Sequence, residues 1–218
     1  MPHPPDDYRG TGFGAQSARP PSFGETTMAT HEPLTLALLA GGQSRRMGSP
    51  KQLLPVAGGT LIEWLCARLA PEFEELLICA SREALPPALW PNSIPDLRVD
   101  AGPLAGIEGA LVAASHQATF VLACDMPLVR WPTVLRLLQL SQGRGAAATR
   151  IGGLPQPLCA VYRKSVLPSL QRHLEAGRRG AVEFLLSLDV VYLDDLGPLE
   201  LSNINTPAQL EALRTYLR

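Results

Sequence analysis

From Leu34 onward, apolar residues fall into two alternating patterns. Short unbroken apolar runs, bounded by glycine, proline or charge, read as strands buried on both faces. Longer stretches with apolar residues three and four positions apart read as helices. Leu34–Leu39 (LTLALL), halted by Gly41 and Gly42, is the first strand. Thr60–Leu69 reads as a helix, with Thr60 as its N-cap and Leu61, Leu65 and Leu69 on one face. Glu75–Ala80 is a second buried strand, and Ile94–Val99 a short third after a proline-rich loop. Gly102–Ser115 reads as a helix with Pro103 in its first turn. Thr119–Cys124 (TFVLAC) is the clearest strand, and Trp131–Leu140 the helix after it. Beyond that, Ala146–Arg150 and Pro157–Tyr162 pair across Gly152-Gly153. Lys164–Glu175 and Ala181–Leu188 read as helices, Val190–Leu193 as a strand and Thr206–Leu217 as a capped final helix. Alternating strand and helix predicts an α/β fold, a parallel sheet with helices on both faces.

The stretch before Leu34 changes the picture at one end. It is rich in Pro, Gly, Ser and Thr and has no apolar block, so it reads as a disordered extension over 1–33 rather than a secretory signal. Met28 offers a second start. Residues 34–218 then form a single domain, a reasonable size for one core. Net charge is −1, from 19 Lys+Arg against 20 Asp+Glu, so no basic field exists to hold nucleic acid or an anionic membrane. No apolar run approaches the roughly 18 residues of a membrane helix. Cys66, Cys79, Cys124 and Cys159 are far apart and form no CxxC pair, which argues against structural zinc or a disulfide framework and for the cytoplasm.

In an open parallel sheet, ligands bind beyond the carboxyl ends of the strands, and three segments fall there. The first is Leu39-Ala40-Gly41-Gly42-Gln43-Ser44-Arg45-Arg46-Met47-Gly48-Ser49-Pro50-Lys51. Glycines right after a buried strand let the backbone approach a ligand, and their N–H groups can cradle phosphates. Arg45, Arg46 and Lys51 add positive charge, and a solvated basic loop is the plain alternative. The spacing matches neither GxxxxGK[ST] nor GxGxxG. The second is Ala123-Cys124-Asp125-Met126-Pro127. Asp125 reads either as a hard oxygen ligand for Mg²⁺ beside bound phosphates or as a cap for the next helix. The third is Asn203-Ile204-Asn205-Thr206-Pro207, in which Asn205 or Thr206 caps the final helix and Asn203 is expected to face the crevice.

Taken in order and with these gaps, LAGGQSRRMG, the IPD segment, GPLAG, CDMP and NINTP resemble the molybdenum cofactor guanylyltransferases of the nucleotidyltransferase superfamily. The resemblance runs from Leu34 to the C-terminus. It implies a Rossmann-like three-layer α/β/α sandwich with a mostly parallel sheet, and transfer of GMP from Mg·GTP to the phosphate of molybdenum-bound molybdopterin, with release of pyrophosphate. It places GTP-binding positions at Leu39, Ala40, Gly41, Lys51, Asp96 and Asp125, with Asp125 as the Mg²⁺ ligand. Gly42 joins the binding loop on the residue argument above, and Arg46, Lys51 and Asp125 are the expected catalytic residues. Two departures stand out. Cys79 occupies a strand end where the family often has Asn, with Ser81 nearby. Ser49-Pro50-Lys51-Gln52-Leu53-Leu54 looks like the sister cytidylyltransferases, whereas Gly42, Gly106 and the Asn203/Asn205 pair look guanylyl-type. A CTP-using enzyme and a sugar-phosphate nucleotidyltransferase are the alternatives.

The chemistry so implied needs little proton transfer. A phosphate monoester is mostly ionised at pH 7, because its second pKa is about 6. Negative charge is the obstacle, so positioning and electrostatic stabilisation carry the reaction. His3, His31, His116 and His173 are accordingly expected at the surface, and Trp64, Trp90 and Trp131 in packing roles. Asp96 reads as an acceptor from base or ribose, or as an ordinary turn residue. On the acceptor side, Gly152–Leu158 resembles the family's acceptor loop. Arg178 and Arg179 either reach the acceptor or cap a helix C-terminus. Expected partners are GTP, molybdenum-molybdopterin and proteins that deliver or receive the cofactor; a monomer is expected.

Overall fold

The computed structural model describes residues 31–41, 50–98 and 101–217. Its strands are β1 (Leu34–Leu39), β2 (Pro55–Val56), β3 (Gly59–Thr60), β4 (Glu75–Cys79), β5 (Ser93–Ile94), β6 (Ala118–Ala123), β7 (Ala146–Ile151), β8 (Leu154–Arg163) and β9 (Val190–Leu193). Its helices are α1 (Leu61–Leu69), α2 (Pro103–Ala113), α3 (Trp131–Leu140), α4 (Leu167–Glu175), α5 (Ala181–Leu186) and α6 (Pro207–Leu213), with short 3-10 turns between them. The main sheet has seven strands in the order β5-β4-β1-β6-β8-β7-β9. β5, β4, β1 and β6 run parallel. β8 is antiparallel to both β6 and β7, and β9 returns to parallel beside β7.

β1 and β6 are buried along their whole length, as expected, whereas β4 is fully buried only at Ile78 and Cys79. Leu36 and Leu38 of β1 point into one core with α1, α3 and α6. Ala37 and Leu39 point into the other with α2, α4 and α5. Two cores, one on each face of the sheet, make the three layers.

Local signals place the helices, and packing holds them. Thr60 caps α1 through a capping box: its Oγ1 accepts from the Glu63 N–H, and the Glu63 carboxylate accepts from the Thr60 N–H at 2.8 Å. That cap contributes about 1 kcal/mol. The buried side chains of Leu61, Ile62 and Leu65 contribute about 1.5–3 kcal/mol each, so the apolar face dominates.

Some expectations change on folding. Of Ile94–Val99 only Ile94 is in a strand, in the Ser93–Ile94 pair, because Pro95 offers no N–H to continue the ladder; Val99 lies outside the described residues. The predicted hairpin forms with Gly152 and Gly153 at φ +54° and +83°, the turn geometry that favours glycine at both positions. It places the antiparallel β8 in the middle of the sheet, with a register shift between Ala148 and Thr149. The folded body reaches back before Leu34: the His31 ring packs edge-on against Trp131 at 5.2 Å, and the Glu32 carboxylate accepts from Nη1 and Nη2 of Arg163. The rest of the expected extension lies outside the described residues. No described helix is long and apolar enough to cross a membrane.

Candidate functional site

β1, β4 and β6 run parallel, so their carboxyl ends share one edge of the sheet, and the chain leaves each of them in a tight, mutually bonded exit. The Ala40 N–H donates to the Cys79 carbonyl at 3.2 Å, and the Cys124 N–H to the Leu39 carbonyl at 3.1 Å. Met126 N–H turns back onto the Ala123 carbonyl at 3.0 Å, which projects Asp125 from the end of β6. Leu39 and Ala40 are buried, while Gly41 is exposed. A Cβ on Gly41 would sit 3.5 Å from the Cys79 carbonyl oxygen, an ordinary contact. Packing against the described residues therefore does not demand a glycine at that position. Gly42, Arg45 and Arg46 lie outside the described residues.

Two clusters stand on this edge. The first joins Lys51, Asp125 and Asn205. Lys51 opens a 3-10 turn after Pro50, and its Nζ donates to the Asp125 carboxylate at 2.7 Å and to Asn205 Oδ1 at 2.5 Å. The Lys51 and Asp125 side chains are about one-fifth exposed, 20% and 21%, so they are ordered yet reachable from solvent. The Asp125 backbone is fixed as well, since its carbonyl accepts from the Ile204 N–H at 2.8 Å. Ile204 is fully buried and anchors the loop that presents Asn205. Asp125 does not cap the next helix, since α3 starts at Trp131 after Arg130. The residue that reaches Lys51 is Asn205, not Asn203. Thr206 does the capping, accepting from the Gln209 N–H at 3.2 Å, which leaves the Asn205 side chain to the crevice. The sequence held the signal, an Asn one residue before a Thr-Pro cap, but not the direction of its side chain.

The second cluster joins Leu39, Cys79, Asp96 and Gly106. The Cys79 thiol donates to the Gly106 carbonyl at 3.3 Å. The Asp96 carboxyl lies beside this contact, and partial desolvation raises its pKa although the residue as a whole is exposed. Burial, with the charge of Asp96 added, pushes the Cys79 thiol up to about 12, so it is a neutral donor.

The other candidates separate from these clusters. His116 bonds Thr35 near the start of β1, at the opposite edge of the sheet. His173 corrects its expected surface position: it is 2% exposed, packed edge-on against Phe184, because it lies on the inner face of α4. Arg179 Nη1 donates to the Leu174 carbonyl at 2.9 Å and so closes the end of α4, the capping alternative, and Arg178 lies 3.8 Å from Glu183. Trp64 and Trp131 pack onto the core under α1 and α3, while Trp90 is 42% exposed and donates to the Leu85 carbonyl. At the opposite edge a groove of about 650 Å³ is lined by Glu32, Arg144, Arg163 and Asp189 among others. Its arginines are already paired, Arg163 with Glu32 and Arg144 with Asp189.

Comparison with known proteins identifies the family. Residues 36–191 match the family model described as the MobA-like NTP transferase domain. A probable molybdenum cofactor guanylyltransferase of Pelotomaculum thermopropionicum is 34% identical over 187 residues, covering 83% of this chain and 91% of that protein. The molybdenum cofactor guanylyltransferase of Pseudomonas putida is 36% identical over 184 residues, covering 82% and 96%. The crystal structure of molybdopterin-guanine dinucleotide biosynthesis protein A from Archaeoglobus fulgidus superposes with a TM-score of 0.71 at 29% identity, over 84% of this chain and 97% of that one. With the family model spanning most of the folded body and relatives above 30% identity matched along most of their length, the chain belongs to the MobA-like NTP transferase domain family.

Proposed function

We infer that the chain is a molybdenum cofactor guanylyltransferase, which moves GMP from GTP onto the phosphate of molybdenum-bound molybdopterin and releases pyrophosphate. One observation carries this reading. Lys51, Asp125 and Asn205 converge beside the Leu39–Gly41 exit, in a chain whose relatives at 34–36% identity carry that name.

The chemistry follows from charge. The attacking oxygen belongs to a phosphate already mostly ionised at pH 7, since its second pKa is about 6. It forms a bond to the α-phosphorus of GTP as the bridge to the β-phosphate breaks, and the electron pair leaves with pyrophosphate. No general base is required, in keeping with the distant places of His116 and His173. Lys51 holds the triphosphate and offsets the charge of the departing pyrophosphate. Arg46 and the Gly41-Gly42 amides share that load. Asn205 holds the Lys51 ammonium in place, and Asp96 accepts from base or ribose. Leu39 and Ala40 form the floor under the nucleoside.

Asp125 suits a magnesium ion. Mg²⁺ takes one or two carboxylates and fills its octahedron with phosphate oxygens and water, whereas a calcium or zinc cage needs more protein ligands. Among the described residues no group of three or more His, Cys, Asp or Glu side chains could hold a metal. When bound, the ion would neutralise triphosphate charge and polarise the α-phosphorus.

A monomeric enzyme is part of this reading. Proteins that deliver the acceptor and receive the product are its expected partners. The four described cysteines are free and buried, which supports a reducing cytoplasm. Pyrophosphate release tests the whole reading. We expect turnover with GTP, Mg²⁺ and molybdenum-molybdopterin, little with CTP, and none with a sugar 1-phosphate as acceptor. Preference for CTP would move the chain to the cytidylyltransferases, and turnover on a sugar phosphate alone would overturn the acceptor.

A further inference from the structure

Cys79, the last residue of β4, is 3% exposed and meets three other segments. Its carbonyl accepts from the Ala40 N–H where the chain leaves β1. Its pairing with Ile94 in β5 sets it beside the Pro95-Asp96 turn. Its thiol donates to the Gly106 carbonyl in α2. The approach of α2 is close: a Cβ on Gly106 would lie 3.0 Å from Leu39 Cδ2, 3.4 Å from Cys79 Cβ and 3.9 Å from Asp96 Oδ1. The helix therefore rests on the Leu39 and Cys79 side chains with none of its own at Gly106. The segments that converge here carry Leu39–Gly41 and Asp96, the candidates for holding the nucleoside, and the start of α2 (Gly102–Gly106). Lys51, Asp125 and Asn205 stand on other segments.

We propose that Cys79 is a positioning residue for the nucleoside, setting the spacing between the end of β1 and the first turns of α2 through its thiol bond to Gly106 and its packing beneath that residue. The proposal rests on the nucleotide reading above and assigns within it a residue too deeply buried to serve as a ligand group itself. A neutral thiol is a weak donor, so its removal loosens fit rather than unfolding the chain. The effect is confined to the nucleoside end, because the phosphate-end cluster has its own anchors in Ile204 and in the Asp125 backbone.

The test uses the full chain and two probes, GTP and inorganic tripolyphosphate. For Cys79→Ala we expect KM and Kd for GTP to rise roughly five-fold, with kcat within about two-fold and tripolyphosphate affinity unchanged. Cys79→Ser, which keeps a donor, recovers part of the loss. Gly106→Ala presses on Leu39 from the other side and raises the GTP Kd in the same direction. GTP binding by Cys79→Ala as tight as in the unaltered protein overturns the proposal. So does an equal loss for GTP and tripolyphosphate, which marks general loosening. An unaltered protein that binds tripolyphosphate but not GTP overturns the nucleotide reading itself, and the role of Cys79 with it.

Discussion

Two carboxylates bracket the connection from β6 to α3, and they are held in opposite ways. Glu200 is 5% exposed and saturated: it accepts from the Arg130 N–H at 3.0 Å, from the Arg130 guanidinium at 2.9 and 3.0 Å, and from the Thr133 hydroxyl. Asp125 is about one-fifth exposed and accepts from one long, flexible side chain, Lys51, while its backbone is fixed by Ile204. Glu200 ties a loop to the start of α3, where an acidic group also meets the helix dipole favourably. Asp125 is rigid in its main chain and exchangeable at its carboxylate. Glu200 is held by a backbone N–H and a buried hydroxyl that cannot leave; Asp125 is presented on fixed backbone with a side-chain partner that can.

The largest effect that would break this comparison is at Asp125. Asp125→Ala should lower kcat by about 10²–10³-fold, the range expected when a preorganised charge at the reacting centre is removed. Its thermal midpoint should move little, because the Ile204 bond is to backbone. A large loss of stability with activity retained per folded molecule would reverse the two roles. Glu200→Ala is the mirror experiment. It strands the buried Thr133 hydroxyl and the Arg130 N–H, and should cost about 2–3 kcal/mol in denaturant unfolding, with kcat of the folded fraction nearly unchanged. The Arg130 guanidinium contributes little to that figure, since its side chain is 70% exposed.

The smallest effect sharpens the contrast by showing a buried polar group without a partner. His173 Nε2 is buried with no hydrogen-bond partner among the described residues. Burial, and the Arg178 charge beside it, lower the His173 pKa below its ordinary 6.5, with Glu183 opposing. The unfolded chain therefore binds a proton that the folded chain resists. Stability from this group is fully present above pH 6.5 and is lost as pH falls through the lowered folded value. Chemical denaturation between pH 7 and 5 should show that loss, and His173→Gln should flatten it. Carboxylates with lowered pKa, such as Glu63 and Glu75, act at lower pH, below their ordinary 4.5, so the windows separate. An unchanged slope in the variant would remove His173 as the cause.

Much of the site was legible because its parts sit at strand ends, where an apolar run stops. Leu39–Gly41 and Asp125 are found that way. Asp96 and Gly106 came only through resemblance to a family. Between Asn205 and Thr206 the sequence leaves the cap open; in the fold Thr206 takes it and Asn205 is left to reach Lys51. His173 departs from its expected surface place because residue type alone suggests solvent, whereas spacing puts it three positions after Leu170 and next to Leu174, on the buried face of α4.

Local order along the chain fixed the strands, the helix starts and the glycine turn, since each depends on residues a few positions apart: a capping box at Thr60, a proline in the first turn of α2, two glycines at positive φ between β7 and β8. It also fixed which residues are apolar enough to lie inside. The folded chain alone decided which polar side chains meet. Lys51 and Asn205 are 154 positions apart, and Cys79 and Gly106 are 27 apart. Such contacts depend on the order of strands in the sheet and on where β8 inserts. No periodicity encodes them, because they arise from packing the whole sheet between its two helical layers.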